Sequence, residues 1–335
     1  MTIIVTGAAG FIGSSLCSLL HEQSIPFLAI DNFSYGYREN ISKEWPFLEM
    51  DVVDSAIEKY IQKNDIVIHL AYVSSLAENQ AFPIKCSIIN NQSTLNMLEI
   101  ARKKGVRQFL FASSSAVYEK STHSPFCETD TIETPNLLYS LAKYQGEQIC
   151  HSYRENYELP ITIVRFFNMY GPKNDYHRKL PPLIPYIIRE LANGQSPILH
   201  SNGLQSRDYL YIDDLLELLI SVIDNPIAFG QIYNASTNRA YSVQDIFEII
   251  RDCLVKKGKK VENIEPIYHP SEQFWDKYPQ LKTGEYPFKD EYMVKEVNKF
   301  TQGSFEKAWK DLGWTPQTMM KEGLEKVVDD YLRTL

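Results

Sequence analysis

Short β-branched runs alternate with longer amphipathic stretches over the first two-thirds of the chain. "IIVT" (3–6), "FLAI" (27–30), "DIVIHLA" (65–71), "RQFLFAS" (107–113) and "ITIVRFF" (161–167) are nearly unbroken apolar runs, as strands buried on both faces require. Between them, apolar positions near 12–23, 83–104 and 139–157 recur at helical spacing. Strand–helix alternation of this kind predicts an α/β protein, a doubly wound parallel sheet covered by helices on both faces with right-handed crossovers.

The texture changes after about residue 170. "YGPKNDYHRKLPPLIP" is rich in proline and charge, so it reads as loop before a helix near 183–193. Residues 266–303 mix prolines and glycines with aromatics and charges and read as irregular. "FEKAWKDLGWTPQTMMKEGLEKVVDDYL" reads as two helices split by Gly313 and Pro316. The expected division is a sheet domain over 1–170, with 207–240 returning to it, and a smaller α+β domain over 171–206 and 241–335.

Charge narrows the partners. Against 34 Lys and Arg stand 42 Asp and Glu, a net charge of −8, which argues against a nucleic-acid surface. The one dense basic run, Lys256-Lys257-Gly258-Lys259-Lys260, reads as a solvated helix C-terminus. Five scattered cysteines without C-x-x-C spacing, and seven histidines without paired spacing, predict a reduced cytoplasmic protein with no disulfide framework and no metal site. The N-terminus carries no basic n-region and its apolar stretch is broken by glycines, so it does not read as a secretory leader. No apolar run reaches the roughly 18 residues of a membrane span.

The first turn carries chemistry. Gly7, Gly10 and Gly13, in "TGAAGFIGSSL", follow the first strand and open a helix. Bare backbone there lets a pyrophosphate reach the helix N-terminus, where unpaired N–H groups and the dipole favour an anion. Asp31 ends the second strand 18 residues after Gly13, close to the roughly 20 expected of a carboxylate on the adenosine ribose. It favours NAD over NADP, whose 2′-phosphate it would repel, and the nearest arginine, Arg38, is seven residues on. Asp51-Val52 ends the third strand, where an adenine edge would lie.

"YSLAK" places Tyr139 and Lys143 one turn apart on a helix face. A phenol of pKa about 10 is a poor base at neutral pH, and a neighbouring ammonium favours the phenolate. Tyr278 and Lys282 share the spacing, but Pro279 follows the tyrosine and no strand precedes it, so that match reads as chance.

Taken in order, the glycine turn, "HLA" (69–71), Asn90, the serines of "FASSSAVYE" (111–119), Tyr139/Lys143, "RFFNMYGP" (165–172), "RDYLYIDDL" (207–215) and "KAWKDLGWTP" (307–316) cover nearly the whole chain. In them the chain resembles the extended short-chain dehydrogenase/reductases, and within these the nucleotide-sugar epimerases and dehydratases. The resemblance implies a Rossmann-type NAD-binding domain, a nucleotide-sugar domain and a homodimer formed through the helices near 83–104 and 139–157. It implies that Ser114, Tyr139 and Lys143 are catalytic: Ser114 bonds the reacting oxygen, Tyr139 is general base and acid, and Lys143 tunes it and holds the nicotinamide ribose. It assigns NAD contacts to Gly7, Gly10, Phe11, Ile12, Gly13, Asp31, Asn32, Asp51, Val52, Leu70, Ala71, Asn90, Tyr139, Lys143 and Phe166. Substrate contacts fall to Ser114, Ser115, Asn168 on the sugar diphosphate and Arg207 as a phosphate clamp.

Reaction type turns on Ser115 and Ala116. Members of the family that eliminate water carry a carboxylate two before the tyrosine of the S-S-x-x-V-Y motif, here Ala116, and alanine is neither acid nor base. The reading is an NAD-dependent epimerase acting at C4: the hydroxyl is oxidised to a ketone, the keto-sugar turns over, and the hydride returns to the other face. A 4,6-dehydratase, a 4-ketoreductase and a non-catalytic NAD-binding regulator are the alternatives. Two positions depart from the pattern. Glu119 stands where V-Y-G is usual, and Val294 takes the place of an arginine that epimerases set on the nucleotide, with Lys295 beside it. The segment 268–300 is also long for the family.

Overall fold

Seven short runs become one parallel sheet, and all but the edge strand Phe47–Glu49 are largely buried in it. The computed structural model describes residues 1–174 and 181–334. Strands β1 (Ile3–Thr6), β2 (Phe27–Asp31), β3 (Phe47–Glu49), β4 (Ile66–His69), β5 (Gln108–Ser114) and β6 (Ile161–Phe166) are joined by Ile232–Ala235. Their order in the sheet is Ile232–Ala235, β6, β5, β4, β1, β2, β3. β1 therefore lies between β2 and β4, and the winding reverses there, which opens a crevice beyond the strands' carboxyl ends. Register aligns those ends: Thr6 lies opposite Ile30 and His69, His69 opposite Phe111, and Ser114 opposite Phe166.

Helices α1 (Phe11–Glu22), α2 (Leu76–Ala81), α3 (Pro83–Ser87), α4 (Ser93–Lys104) and α5 (Leu138–Tyr157) supply the crossovers. The helix expected over 83–104 is thus broken, with one π turn over Ile88–Gln92 between α3 and α4. Met97, Leu98 and Ala101 of α4 and Cys150 of α5 share a buried cluster with Ile4, Ile30, Val67, Phe109 and Phe111 of the sheet.

The chain forms two compact units: Met1–Phe167, Leu216–Ala235 and Phe305–Thr315, and then Asn168–Leu215, Ser236–Ser304 and Pro316–Leu335. The expectation returned 207–240 to the sheet domain. In the structure Ser206–Tyr211 pairs within the second unit, antiparallel to Ala240–Ser242 and parallel to Asn168–Tyr170. A two-stranded parallel sheet joins Ile198–His200 to Ile267–His269. The second unit's helices Leu183–Ala192, Val243–Lys256 and Met320–Arg333 pack on one another, burying Ile187, Leu191, Ile246, Ile250, Leu324 and Val328.

Two further expectations need adjusting. Residues 266–303 are not irregular throughout, since they contain the helix Asp290–Val297 as well as the strand Ile267–His269. The third strand stops at Glu49, and Asp51-Val52 lies in the turn beyond it. Part of the loop read from "YGPKNDYHRKLPPLIP", residues 175–180, lies outside the described residues. The lysine-rich run does follow a helix end: Val243–Lys256 stops there, Gly258 takes φ +82°, and Lys257 pairs with Asp329 at 2.8 Å.

One contact fixes how closely α5 approaches the sheet. A Cβ added at Gly146 would stand 2.5 Å from the Phe111 ring on β5. Phe111 is fully buried and cannot swing away. Helix propensity alone favours Gly146→Ala by up to about 1 kcal/mol, but the overpacking costs about 1–3 kcal/mol. Gly146→Ala is therefore expected to lower stability by up to about 2 kcal/mol in urea unfolding. A stabilised variant would show that α5 can lift off β5 without cost.

Candidate active site

The glycine turn is shaped by what surrounds it. Gly7 sits at φ +72°, and a Cβ there would stand 2.7 Å from the Ala71 nitrogen, so the turn lies directly against Leu70-Ala71 after β4. A Cβ at Gly13 would stand 2.2 Å from the Gly7 oxygen. These two glycines let strand, turn and helix close on each other. Gly10 differs: it is the N-cap of α1, it has no side chain to cap with, and Phe11, Ile12 and Gly13 follow as the first helical turn. Their N–H groups lack intrahelical acceptors, as in any first turn, and the dipole adds to their pull on an anion.

Asp31 closes the far side of the turn. It is buried, with one carboxylate oxygen accepting from the Ala9 N–H at 2.9 Å and the other from the Phe33 N–H at 2.7 Å. Burial raises its pKa, and the backbone donors oppose that. Asn32 donates to Asp51 at 2.9 Å, linking the turns after β2 and β3. Arg38 binds Glu49 at 2.8 Å and lies over the Phe33 ring. A pocket of bare backbone, a helix N-terminus, a carboxylate at the end of β2 and an arginine engaged elsewhere fit a dinucleotide with a free 2′-hydroxyl.

The ends of β4 and β5 carry the remaining groups. His69 faces Thr6 at 2.9 Å and Ser93 at 3.4 Å. Burial, with a smaller effect from Lys143, pushes its pKa down to about 3, so it is a neutral strut at ordinary pH. Asn90 is wholly buried in the π turn, where it accepts from the Val73 N–H at 2.7 Å and donates to Asn79 at 2.9 Å, fixing the loop after β4.

Of the three serines, Ser113 donates to Glu147 on α5, whereas Ser114 is half-buried and caps the turn Ser115–Tyr118 by accepting from the Ala116 N–H at 3.2 Å. Ser115 and Ala116 are buried. Tyr118 serves as scaffold: its hydroxyl accepts from Arg165 at 2.7 Å and lies 2.9 Å from the Asn234 side-chain oxygen. Arg165 also grips Glu147 through two parallel bonds of 2.9 and 2.8 Å, all of it buried.

α5 runs antiparallel over β5, as its contacts show: Gly146 meets Phe111, and Lys143 donates to the Ala112 carbonyl at 2.6 Å. Tyr139, one turn earlier, is thereby carried toward the Ser114 end of the strand. Lys143 is buried, and burial holds its pKa well below the usual lysine value, which Glu147 partly offsets. The control pair behaves differently, for Lys282 pairs with Asp276 and donates to the Glu272 carbonyl.

Sequence reasoning missed what anchors the start of α5. Glu119 accepts from the N–H groups of Asn136 at 2.9 Å and Leu137 at 3.1 Å, and Gln80 accepts from Leu138 at 3.3 Å. Its departure from the V-Y-G pattern was the available signal. In the second unit, Asn168 donates to the Asp208 carbonyl at 2.8 Å. Arg207 is half-buried and donates to the carbonyls of Glu296 at 2.9 Å and Val297 at 3.3 Å, the C-terminal end of the helix Asp290–Val297. Val294 and Lys295 on that helix are exposed. Phe166, beside Ser114 in register, ends β6. Among the described residues, no group of three or more His, Cys, Asp or Glu could hold a metal ion, and no helix is long and apolar enough to cross a membrane.

Comparison with known proteins follows the same residues. The sequence profile of the NAD dependent epimerase/dehydratase family matches residues 3–236. A Methanocaldococcus jannaschii protein provisionally named a UDP-glucose 4-epimerase is 30% identical over 332 residues, covering 98% of this chain and 97% of its own. A UDP-N-acetyl-alpha-D-glucosaminuronate decarboxylase of Bacillus cytotoxicus is 30% identical over 83% of this chain and 88% of its own. The crystal structure of a UDP-glucose 4-epimerase from Thermotoga maritima, solved with UDP-glucose, superposes with a TM-score of 0.86 at 26% identity, covering 100% of this chain and 99% of that one.

The Glu119 anchor is testable by itself. Glu119→Ala leaves two backbone donors at the entry to α5 without their acceptor, and a lost cap of this kind costs about 0.5–2 kcal/mol. Urea unfolding is expected to show that loss. Glu119→Gln, which keeps one acceptor oxygen, is expected to lose less. Equal stability of the alanine variant and wild type would mean that solvent replaces the carboxylate.

Proposed function

The chain belongs to the NAD dependent epimerase/dehydratase family, and on that premise we propose that it is a nucleotide-sugar epimerase acting at C4. The observation that carries this reading is Ala116: it is buried at the start of the turn beyond Ser114, in a chain that keeps Ser114, Tyr139 and Lys143. NAD supplies, when bound, a hydride acceptor that is regenerated in each turnover. The turn Gly7–Gly13 and Asp31 would hold its pyrophosphate and ribose.

Tyr139 takes the proton of the C4 hydroxyl and later gives it back. A phenol does this near neutral pH only if its anion is stabilised, and a shift of about 3 units corresponds to about 4 kcal/mol. The Lys143 ammonium, kept out of water, is the group suited to that task. Ser114 hydrogen-bonds the same oxygen and fixes its direction. Elimination across C5 and C6 needs further groups that give and take protons at those carbons. Ser115 and Ala116 offer no carboxylate for it.

Asn168 and Arg207 are the proposed contacts to the diphosphate. With Arg207 donating to the C-terminal carbonyls of the helix Asp290–Val297, only its remaining donors are left for that task. A homodimer is supported by Ile84, Ile88 and Leu95, apolar and exposed along α3 to α4. Since the named relatives are UDP-sugar proteins, UDP-hexoses are the first substrates to try.

Incubated with a panel of nucleotide hexoses and NAD, the protein is expected to give a C4 epimer without net NADH accumulation, followed by proton NMR. A methyl doublet growing with time would mean a 6-deoxy product and a dehydratase. Steady consumption of added NADH with a keto-sugar would mean a reductase. Tyr139→Phe is expected to cut turnover by about 10² or more while NAD binding by calorimetry is kept. Tyr278→Phe should leave turnover unchanged, and equal losses in the two variants would reject the assignment.

A further inference from the structure

Tyr72 belongs to none of the roles above, yet it touches both members of the Tyr139–Lys143 pair. The Lys143 ammonium lies 3.2 Å from the centre of the Tyr72 ring, on its face. The Tyr139 ring stands nearly perpendicular to the same ring, at 79° with centroids 6.2 Å apart. The Tyr72 hydroxyl is buried with no hydrogen-bond partner.

The surroundings of Lys143 explain why a ring face matters there. On its own helix Glu147 is the nearest carboxylate, and both its oxygens are held by Arg165, with Ser113 on one of them. Cys150 lies on that helix too, and burial pushes its pKa up and keeps it a neutral thiol. From β4 comes His69, which is neutral, and from β5 the Ala112 carbonyl. The Phe111 ring is farther off, at 5.2 Å. The described residues give Lys143 no ion pair. In a dry site, a cation over an aromatic face gains what a carboxylate would otherwise supply.

We propose that Tyr72 is a positioning residue for the reaction: its ring face holds the Lys143 ammonium in place, and the same ring sets the Tyr139 phenol beside it. The proposal rests on reading Tyr139 and Lys143 as the catalytic pair. Tyr72 keeps Lys143 charged, and the charged Lys143 lets Tyr139 ionise at lower pH. Removing the ring face therefore raises the pH at which Tyr139 ionises, while removing only the hydroxyl does not.

The test needs no substrate. The ionisation of Tyr139 is read from tyrosinate ultraviolet absorption as the difference between each protein and its Tyr139→Phe counterpart, in the NAD-loaded enzyme. Tyr72→Leu is expected to move that midpoint up by about one pH unit, the scale of a desolvated cation–aromatic contact. Tyr72→Phe is expected to leave it in place, and Tyr72→Leu is expected to add nothing in a Lys143→Met background. If leucine unfolds the chain, Tyr72→Met replaces it in the same titration. A midpoint unmoved by Tyr72→Leu, a shift shared by Tyr72→Phe, or a shift that persists without Lys143 would each overturn the proposal. A midpoint unmoved by Lys143→Met would reject the catalytic pair itself, a different failure from the first.

Discussion

Lys143 holds an ammonium group between α5 and β5, out of water, and much of the neighbouring structure follows from that burial. An ionised group in such a place is costly unless its surroundings replace the solvent it has lost. Here the Ala112 carbonyl, the Tyr72 ring and the field of Glu147 do so. Such an arrangement requires α5 to lie close to β5, which Gly146 permits, and to start at a defined point, which Glu119 and Gln80 set. The same closeness brings Glu147 to Ser113 and Arg165, so that one helix face carries both Tyr139 and Lys143, proposed as the reactive pair, and the ion pair beneath them.

Much of this was legible in the chain before any coordinates. The apolar runs named five strands of the sheet because a parallel strand buried on both faces shows no alternation to mistake for anything else. Gly7, Gly10 and Gly13 marked the first turn because their spacing joins strand to helix, and the structure shows two of them enforced by backbone contacts. The two C-terminal helices were readable from Gly313, which caps the first at φ +70°, and from Pro316.

What stayed hidden depended on contacts between residues far apart in the chain. Nothing near Glu119 announces that its carboxylate will meet Asn136 and Leu137, nor near Arg165 that Glu147 will lie opposite. The expected return to the sheet domain begins at 207, yet Ser206–Tyr211, half of it polar, finds its partners Ala240–Ser242 and Asn168–Tyr170 in the smaller sheet, which nothing in its own residues announces. The irregular reading of 266–303 failed for a related reason. Prolines and glycines punctuate this segment, yet the eight residues Asp290–Val297 contain neither, and Met293 is buried among them.

The two departures from the family pattern have different weight. Glu119 replaces a glycine and finds a task in the backbone before α5, so that departure bears on how firmly Tyr139 is held. The missing arginine bears on the nucleotide. Arg207 donates to the carbonyls that end the helix Asp290–Val297, where a cation also complements the helix dipole. Val294 sits on that same helix. A guanidinium engaged with backbone carbonyls has fewer N–H groups left for a phosphate, and a lysine nearby offers a point charge in place of a planar fork. On the proposed reading, it is the nucleotide end of the site that this departure from the family pattern affects.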